Sequence, residues 1–513
     1  MERLRAAAVM GGTTGLGAQL SQYLAERGFA VAALGPAPAW TWPERAQNCH
    51  LVETDLGRIE GYAEALAEAS RRLGGFGVLI NALDRFDPIP FDQIGPADWA
   101  QALDHNLKAV FFACQAAVPL MKDCGGVICN LSSARAHLAA VDQVAYSAAK
   151  AGVAAMTRDL ACDLGRYDIK CDSLMLPVAG VDGLMTAQAP TTDDICEAVE
   201  FLISQGSYDA LDAFEYPLDG GLTVLLDRLA SVPGPTATEP DQPDQPDEGA
   251  KVAVVTGGAS GLGAQAARVF AQRGFRVALL DILDQAGEAL AGQLREWADA
   301  CYIHCDVARN DQIEAAVAGV QDRFGRIDIL LNSAAVTSRK RTPDITEADW
   351  DTFMDIDLKG PFYLSLACAR HMRRHGSGHI VNFSSMLSTL SHGRHTLYGG
   401  AKEALNAMTR ALAAALKPDG VQVVSVLPAY VVTPMISFRL TDQEWIDRNY
   451  RQSLSRVLLR PEHVSEVFHW LSTARTAAHS GHKIHVDTGY LSLRHKLVPW
   501  DDPAPIAQEA TLR

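Results

Sequence analysis

The sequence lacks the features of a nucleic-acid-binding, membrane-spanning or metal-dependent protein. There is no basic surplus, since the formal net charge of −16 leaves no positive footprint for nucleic acid or an anionic membrane. No apolar run approaches the roughly 20 residues that span a bilayer. The ten cysteines form no paired CxxC motif, and the fifteen histidines form no HExxH motif. We therefore expect free thiols and no metal, nucleic-acid or membrane partner.

The sequence also has little room for a leader segment. Met1 is followed within a few residues by an apolar strand, which leaves no space for a signal peptide. Together with unpaired cysteines, this predicts a cytoplasmic protein. The 513 residues are 48% hydrophobic and 21% charged, which is typical of globular proteins, and they exceed what one hydrophobic core usually supports. We expect two domains.

The second part of the sequence repeats the first. Like residues recur at a nearly constant separation: 246 residues from Gly11 to Gly257, 251 from Asn81 to Asn332, and 252 from Tyr146 to Tyr398. A constant separation over this length indicates two copies of one fold. Between the copies, the proline-rich acidic segment VPGPTATEPDQPDQPDEG predicts an extended linker. We predict a first half (1–231), a linker (232–249), a second half (250–490) and a tail (491–513).

Short apolar segments alternate with amphipathic segments in each half. This alternation predicts an α/β fold in which parallel strands are joined by helices on both faces of a doubly wound sheet. The sequence thus predicts two such domains in tandem. In a sheet of this kind the ligand binds beyond the carboxyl ends of the strands.

A glycine-rich turn joins the first strand to the first helix of each half. The two turns are Gly11-Gly12-Thr13-Thr14-Gly15-Leu16-Gly17 and Gly257-Gly258-Ala259-Ser260-Gly261-Leu262-Gly263. Glycine lets the backbone approach a pyrophosphate, and the helix N-terminus supplies N–H groups. With Thr256, the second turn resembles the TGxxxGxG turn of the short-chain dehydrogenase/reductase family, which implies a Rossmann-like fold. The first half has Met10 in place of the threonine.

A serine, a tyrosine thirteen residues later and a lysine four residues beyond it occur in both halves. They are Ser133, Tyr146 and Lys150 in the first half, and Ser385, Tyr398 and Lys402 in the second. Tyrosine and lysine at this spacing share one face of a helix, where the ammonium can lower the phenol pKa toward neutral pH. The resemblance implies that tyrosine is the general acid/base, that serine positions the carbonyl or alcohol, and that lysine also binds the nicotinamide ribose.

The family's fourth site residue is an asparagine that anchors a proton-relay water. It corresponds to Asn106 in the first half, whereas the second half has Asp357. An ionised carboxylate cannot donate a hydrogen bond as an amide does. The sequence therefore leaves open whether the second half has a proton relay.

The end of the second strand predicts which dinucleotide binds. In the second half this strand ends at Asp281, a carboxylate that can bind both ribose hydroxyls and repel a 2′-phosphate, so NAD is favoured. The first half has Gly35 there, which leaves NAD, NADP or no dinucleotide open. The resemblance implies further dinucleotide contacts in each half: Thr14, Leu16, Asp55 and Asn81, and Ser260, Leu262, Asp306, Val307, Asn332 and Ala334. Asp55 and Asp306 fit a turn equally well.

Near their ends the two halves differ in length. Pro177 and Pro428 are 251 residues apart, but Asp219 and Asp487 are 268 apart, so the second half carries seventeen additional residues. This segment contains Met435, Phe438, Trp445, Tyr450 and Leu454. We expect either a lid over a mid-sized, partly apolar substrate or packing against the first half. A basic run, Arg339-Lys340-Arg341, is either a solvated loop or part of the pocket rim.

These patterns predict an NAD(P)-dependent oxidoreductase that interconverts a secondary alcohol and a ketone, with the second half better equipped. The first half is either a second working site, so that oxidation and reduction together epimerise one carbinol, or a non-catalytic scaffold. A dinucleotide-sensing protein is a further alternative. Family members pair through the helices that carry Asn106 and Tyr146, so the resemblance implies an internal pseudo-dimer. Two chains would then form a tetramer-like homodimer.

Overall fold

A computed structural model describes residues 5–37, 48–138, 142–176, 191–204, 215–217, 251–337, 339–391, 393–451, 458–473 and 480–487. The predicted linker and tail, Leu454, and the side chains of Phe438 and Tyr450 lie outside the described residues. The domain boundaries therefore remain predictions.

Each half contains a seven-stranded sheet in which every strand pair is parallel. The first sheet has the order β3-β2-β1-β4-β5-β6-β7 and the second the order β10-β9-β8-β11-β12-β13-β14. The strands are β1 (Ala6–Met10), β2 (Ala30–Gly35), β3 (Cys49–Glu53), β4 (Val78–Asn81), β5 (Gly126–Ser133), β6 (Ile169–Leu176), β7 (Glu215–Pro217), β8 (Val252–Thr256), β9 (Arg276–Asp281), β10 (Ala300–His304), β11 (Ile329–Asn332), β12 (Gly378–Phe383), β13 (Val421–Pro428) and β14 (Lys483–Val486). The predicted fold class is confirmed.

Helices cover both faces of each sheet. They are α1 (Gly15–Glu26), α2 (Tyr62–Leu73), α3 (Pro96–Leu103), α4 (Ala109–Met121), α5 (Val144–Leu164), α6 (Thr192–Ser204), α7 (Gly261–Gln272), α8 (Asp284–Leu294), α9 (Asn310–Phe324), α10 (Glu347–Met354), α11 (Gly360–His375), α12 (Thr396–Leu416), α13 (Gln443–Arg451) and α14 (Pro461–Thr473). None of these described helices is long and apolar enough to cross a membrane.

The strands are apolar throughout because both of their faces are buried. Ala7 and Val9 of β1 belong to one hydrophobic cluster, whereas Ala8 and Met10 belong to another on the opposite face. Side chains alternate across a strand, so a doubly covered strand needs an apolar residue at every position. The strand order reverses between β1 and β4, and between β8 and β11, which opens a crevice beyond the carboxyl ends of these strands.

A π-helical turn interrupts the same helix in both halves. Asp104–Lys108 separates α3 from α4, and Asp355–Lys359 separates α10 from α11. Turns of this kind are rare and occur mostly at functional sites. The two turns carry Asn106 and Asp357, so these residues occupy equivalent positions in the two halves.

The two halves pack against each other through their helices. One hydrophobic cluster runs through both halves. Trp99 of the first half stacks on Phe362 of the second with ring centroids 4.3 Å apart. A Cβ atom on Gly400 of α12 would lie 2.6 Å from the Met156 side chain of α5, so glycine permits the close approach of these helices. The two halves thus share a buried helix–helix contact, and the pseudo-dimer that the resemblance implies stays a prediction.

We predict that Trp350→Ala lowers the free energy of unfolding by about 3–5 kcal/mol, the usual cost of a tryptophan-sized cavity. The Trp350 ring is 2% exposed and packs on Phe111 and Phe112 of the other half at centroid distances of 5.5 and 5.9 Å. Urea unfolding followed by circular dichroism measures the change. Trp297→Ala is the control, because Trp297 is 47% exposed. Equal losses in the two variants would contradict the buried interface.

Candidate active site

The glycine-rich turn of the second half is a backbone cradle at the start of α7. Gly257 has a φ of +60°, which favours glycine. A Cβ atom on Gly263 would lie 2.3 Å from the carbonyl oxygen of Gly257, so any side chain there would fill the turn. The Thr256 hydroxyl braces the neighbouring loop, since it accepts hydrogen bonds from the N–H groups of Ser333 and Ala334 at 3.0 and 3.1 Å. Met10 of the first half has no hydroxyl for this purpose.

Asp281 lies at the end of β9, beside this cradle. Its Oδ2 accepts a hydrogen bond from the N–H of Ala259 in the glycine turn at 2.9 Å. Its Oδ1 accepts hydrogen bonds from the N–H groups of Ile282 and Leu283 at 2.8 and 3.1 Å. Three backbone donors thus fix the carboxylate at the cavity wall.

A cavity of about 400 Å³ extends from the cradle to the predicted chemical residues. This volume is in the range typical of small-molecule sites. The predicted residues that line it are Gly257, Ser260, Gly261, Leu262, Gly263, Asp281, Asp306, Val307, Ala334, Ser385, Tyr398 and Lys402. The residues predicted for dinucleotide binding and those predicted for proton transfer therefore line one cavity.

Asn332 does not belong to this cavity wall. Its amide is 2% exposed and donates a hydrogen bond to Oδ1 of Asn382 on the neighbouring strand at 2.8 Å. In the first half, Asn81 donates to Oδ1 of Asn130 at 2.7 Å in the same way. Each pair crosslinks two strands within the sheet, and a contact of these residues with a dinucleotide stays a prediction.

Lys402 points into the site, although its ammonium is almost fully buried. Its Nζ donates to the carbonyl oxygen of Phe383 at 3.0 Å, and lies 2.8 Å from Oδ1 of Asp357 and 5.5 Å from the centroid of the Tyr398 ring. Burial opposes the charge, but the carboxylate and the phenol outweigh it and hold the Lys402 pKa above its ordinary value.

The Tyr398 phenol does not have the lowered pKa that the sequence suggested. Burial raises the Tyr398 pKa, and the nearby Asp357 carboxylate raises it further. Lys402 and a hydrogen bond with Ser385 act in the opposite direction but do not outweigh burial. The ammonium does lower the Tyr398 pKa, but burial outweighs it and Asp357 adds to the effect of burial, and neither could be inferred from the sequence spacing.

Asp357 takes the position that Asn106 has in the first half. Its Oδ2 accepts a hydrogen bond from the N–H of Val336 at 3.3 Å, while Oδ1 of Asn106 accepts one from the N–H of Arg85 at 2.8 Å. Asp357 is fully buried, which raises its pKa against the effect of Lys402. Asp357 contacts Lys402 but does not itself line the cavity.

The buried lysine of the first half has a different carboxylate partner. Lys150 Nζ lies 3.1 Å from Oδ1 of Asp84, in the loop after β4. The same oxygen accepts a hydrogen bond from the Tyr146 hydroxyl at 2.8 Å. The residue at the corresponding position of the second half is Ala335, which lines the cavity. Asp84 thus lies where the second half keeps open space.

The Asp84 carboxylate thus contacts both Tyr146 and Lys150, the residues of the first half that were predicted to act as acid/base and as its partner. Burial raises the pKa of Tyr146, and the Asp84 carboxylate raises it further. A hydrogen bond with Ser133 acts in the opposite direction. Sequence reasoning missed Asp84, since a lone acidic residue after a strand is usual in turns.

The adenosine end of the first half differs as well. A Cβ atom on Gly35 would lie 2.2 Å from Oγ1 of Thr13, so the Thr13 side chain fills the place of a carboxylate here. Thr13 is fully buried and its hydroxyl has no hydrogen-bond partner. The corresponding residue of the second half is Ala259. This difference between the halves is a sequence signal that could have indicated the changed adenosine end.

The cavity of the first half, about 930 Å³, has only part of the predicted wall. Its described lining includes Gly11, Thr14, Gly15, Leu16 and Asp55, and it ends at Asp84, Arg85 and His105. The predicted residues outside this lining are Gly17, Asn81, Asn106, Ser133, Tyr146 and Lys150. Gly17 supports the turn instead, because a Cβ atom there would lie 2.2 Å from the carbonyl oxygen of Gly11.

The described part of the additional segment packs on its own half. Met435 lines the cavity and is 41% exposed, while the buried Trp445 ring lies 5.0 Å from the ring of Tyr430, another lining residue. In the basic run, Arg339 lines the cavity, whereas Lys340 pairs with Asp349 at 2.7 Å. The described part of this segment thus contributes to the cavity wall, and a lid over a substrate stays a prediction.

No cluster of three or more potential metal ligands occurs among the described residues. All ten cysteines are free thiols, as expected.

Comparison with known proteins agrees with this geometry. A family model described as short chain dehydrogenase matches residues 5–191, and one described as enoyl-(acyl carrier protein) reductase matches residues 257–491. The chain is 35% identical over 245 residues to short-chain reductase protein NovJ of Streptomyces niveus, covering 46% of this chain and 93% of that protein. It is 33% identical over 246 residues to D-threitol dehydrogenase of Mycolicibacterium smegmatis, covering 47% of this chain and 92% of the relative.

Among solved structures, a putative short-chain alcohol dehydrogenase from Sinorhizobium meliloti 1021 aligns with 28% identity and a TM-score of 0.46, over 47% of this chain and 96% of that one. The sequence matches define a class of NAD(P)-dependent oxidoreductases. The chain belongs to the short-chain dehydrogenase/reductase family and carries two regions of that family, one in each half.

Proposed function

We propose that the second half is an NAD-dependent site that interconverts a secondary alcohol and a ketone. One observation carries this proposal: Ser385, Tyr398 and Lys402 line the same cavity as the glycine cradle and Asp281. The cradle suits a pyrophosphate because a Cβ at Gly263 would fill it, and Asp281 suits a ribose without a 2′-phosphate. Gly257, Ser260, Leu262 and Ala334 complete the wall that would hold the dinucleotide.

The side chains of the second half divide the chemistry among them. Bound NAD supplies hydride acceptance from the alcohol carbon. Tyr398 takes the hydroxyl proton of the alcohol at its phenolate oxygen and returns a proton to the ketone in the reverse direction. Ser385 donates a hydrogen bond to the substrate oxygen. Lys402 stabilises the phenolate, and Asp357 makes the buried ammonium tolerable.

The substrate that fits this wall is small to mid-sized and partly apolar. Met386, Ile436 and Met435 supply apolar surface beside Tyr398, and Arg339 adds a single cation at the rim. D-threitol dehydrogenase and cis-4-hydroxycyclohexanecarboxylate dehydrogenase, both 33% identical to this chain, are named for alcohol substrates. From these relatives we propose a secondary alcohol as the substrate class of this chain.

We infer that the first half is a non-catalytic scaffold. The supporting observation is Asp84, whose carboxylate holds the Tyr146 hydroxyl and the Lys150 ammonium together at 2.8 and 3.1 Å. A nicotinamide ribose would need the same two groups. Thr13 in place of a ribose-binding carboxylate weakens the adenosine end too. The alternative of two working sites that epimerise one carbinol requires Tyr146 to be available.

The assembly and its location follow the same proposal. The internal pair buries the helices through which family members pair, and two chains would then form a tetramer-like homodimer. We propose a cytoplasmic enzyme, in keeping with the free thiols. A dinucleotide sensor without turnover would need no phenol beside a buried ammonium.

We predict that Tyr398→Phe lowers kcat/KM for NAD-dependent oxidation of a secondary alcohol by about 10²- to 10⁴-fold, because the proton acceptor is lost. Tyr146→Phe, the matched control in the first half, leaves the rate unchanged. NADH formation with a panel of secondary alcohols measures both variants. An equal loss in the two variants would show two working sites and overturn the scaffold; no turnover by the wild type on any alcohol would support the sensor.

We predict that Asp281→Ala reduces the preference for NADH over NADPH by about tenfold or more. The reason is the loss of charge-assisted hydrogen bonds, worth ~1.5–3 kcal/mol, and of the repulsion against a 2′-phosphate. Fluorescence titration of the full chain with each dinucleotide gives the two dissociation constants. Asp284→Ala is the control, since this neighbouring carboxylate is exposed and bonds Tyr302 instead. An unchanged ratio in Asp281→Ala rules out the assigned ribose contact.

We predict that Asp357→Asn moves the acid limb of the kcat/KM–pH profile for alcohol oxidation to lower pH. The Asp357 carboxylate raises the Tyr398 pKa, so its removal lowers that pKa and the phenolate forms at lower pH. The measurement is the pH profile of NADH formation. Asp355→Asn, in the same π-helical turn and paired with Lys359, serves as the control. A limb that stays in place or moves to higher pH contradicts the electrostatic account.

A further inference from the structure

The helix that carries Tyr398 and Lys402 has no side-chain cap from its own segment. Helix α12 begins at Thr396, and its N-cap residue His395 makes no side-chain hydrogen bond to the helix end. A helix start leaves backbone N–H groups without partners, and it is stabilised by an acidic group nearby. Because Tyr398 is the third residue of α12, the helix start controls where the phenol lies.

The residues at the start of α12 are held instead by the other half of the chain. Asp159 of α5 is 4% exposed. Its Oδ2 accepts hydrogen bonds from the N–H of His395 at 3.1 Å and from the Thr396 hydroxyl at 2.7 Å. Its Oδ1 accepts one from the N–H of Gly393 at 3.0 Å. A single carboxylate therefore fixes both the start of α12 and the loop that leads to it from Ser385.

The loop also touches the α5 backbone directly. Gly393 has a φ of +67°, and a Cβ atom there would lie 3.1 Å from the backbone nitrogen of Asp163. His395, two residues further along, lines the cavity. The contact with the first half thus reaches the wall of the proposed active site.

A second carboxylate of α5 holds the opposite rim. Asp163, one helical turn after Asp159, is 3% exposed. Its Oδ2 accepts a hydrogen bond from the N–H of Thr342 at 2.7 Å, and its Oδ1 lies 3.5 Å from the Arg341 guanidinium. Arg341 follows Arg339 of the cavity wall by two residues. Both loops that flank the cavity are therefore tied to one helix of the first half.

These contacts run in one direction only. The tyrosines of the two halves are 252 residues apart, and at that separation Asp159 and Asp163 correspond to Ala411 and Ala415, which have no carboxylate. By contrast, Arg158 and Arg410 behave alike. Arg158 donates to the carbonyl oxygen of Ser388 at 3.0 Å, and Arg410 donates to that of Ala136. The arginine contacts are thus symmetric between the halves, whereas the contacts of the two carboxylates are not.

We propose that Asp159 and Asp163 are positioning residues with which the first half holds the active-site loops of the second. This proposal rests on the second half being the reactive site. In this proposal a half whose own tyrosine and lysine are bound to Asp84 still contributes to turnover, because its α5 supplies acceptors for the loop amides of Gly393, His395 and Thr342.

The test uses Asp159→Ala and Asp159→Asn in the full chain. We expect Asp159→Ala to speed hydrogen exchange at the amides of Gly393 and His395 by about five- to thirtyfold, because each amide loses its hydrogen bond to the carboxylate. We expect kcat for alcohol oxidation to fall by about tenfold, with a smaller change in NADH affinity, since the phenol is misplaced rather than removed. Asp159→Asn keeps one acceptor oxygen for Thr396 and His395, so we expect it to restore most of kcat and of the protection at His395, but not the protection at Gly393.

Asp92→Ala is the matched control for a weakened interface, since Asp92 pairs with Arg373 of the other half at 3.3 Å and lies outside the cavity wall. Exchange at the two amides that is no faster in Asp159→Ala than in Asp92→Ala overturns the proposal, as does an unchanged kcat. If the wild type oxidises no secondary alcohol, the proposed function fails, while the exchange rates still decide whether Asp159 holds the loop.

Discussion

The structure depends on how each half tolerates a buried lysine ammonium. Lys150 is 0% exposed and Lys402 is 1% exposed. A charge taken out of water is costly unless an opposite charge and hydrogen-bond acceptors accompany it. Backbone carbonyls supply part of this compensation in both halves. The remaining part is one carboxylate, and the two halves place it on different sides of the lysine.

The side from which the carboxylate comes separates two otherwise similar sites. Asp357 contacts Lys402 from a π-helical turn without itself lining the cavity, and Tyr398 remains part of the cavity wall. Asp84 reaches Lys150 from the loop after β4 and takes the Tyr146 hydroxyl as well. The position of this single acidic residue is the difference on which our proposal of one working site and one non-catalytic half rests. Asp159 and Asp163 of the first half hold loops of the second half, which agrees with these different roles of the two halves.

The sequence predicted what repeats along the chain, and it missed what depends on contacts across the chain. The sheets, the glycine turns and the serine–tyrosine–lysine sets follow from periodicity and spacing. Asp84 and Thr13 stand alone in loops, and nothing local shows that they fill space used in the other half. Asp159 lies 236 residues before His395, whose amide donates a hydrogen bond to it, so no local pattern reveals the contact. The lowered phenol pKa was wrong because burial and Asp357 are invisible in a Tyr-x-x-x-Lys spacing.

The number of dinucleotides bound per chain tests the central claim most directly. Calorimetric titration of the full chain with NADH, repeated with NADPH, counts the sites without any knowledge of the substrate. The account predicts one NADH per chain, because Asp84 occupies the groups that a second nicotinamide ribose would need. Two NADH sites of comparable affinity in each chain would contradict it.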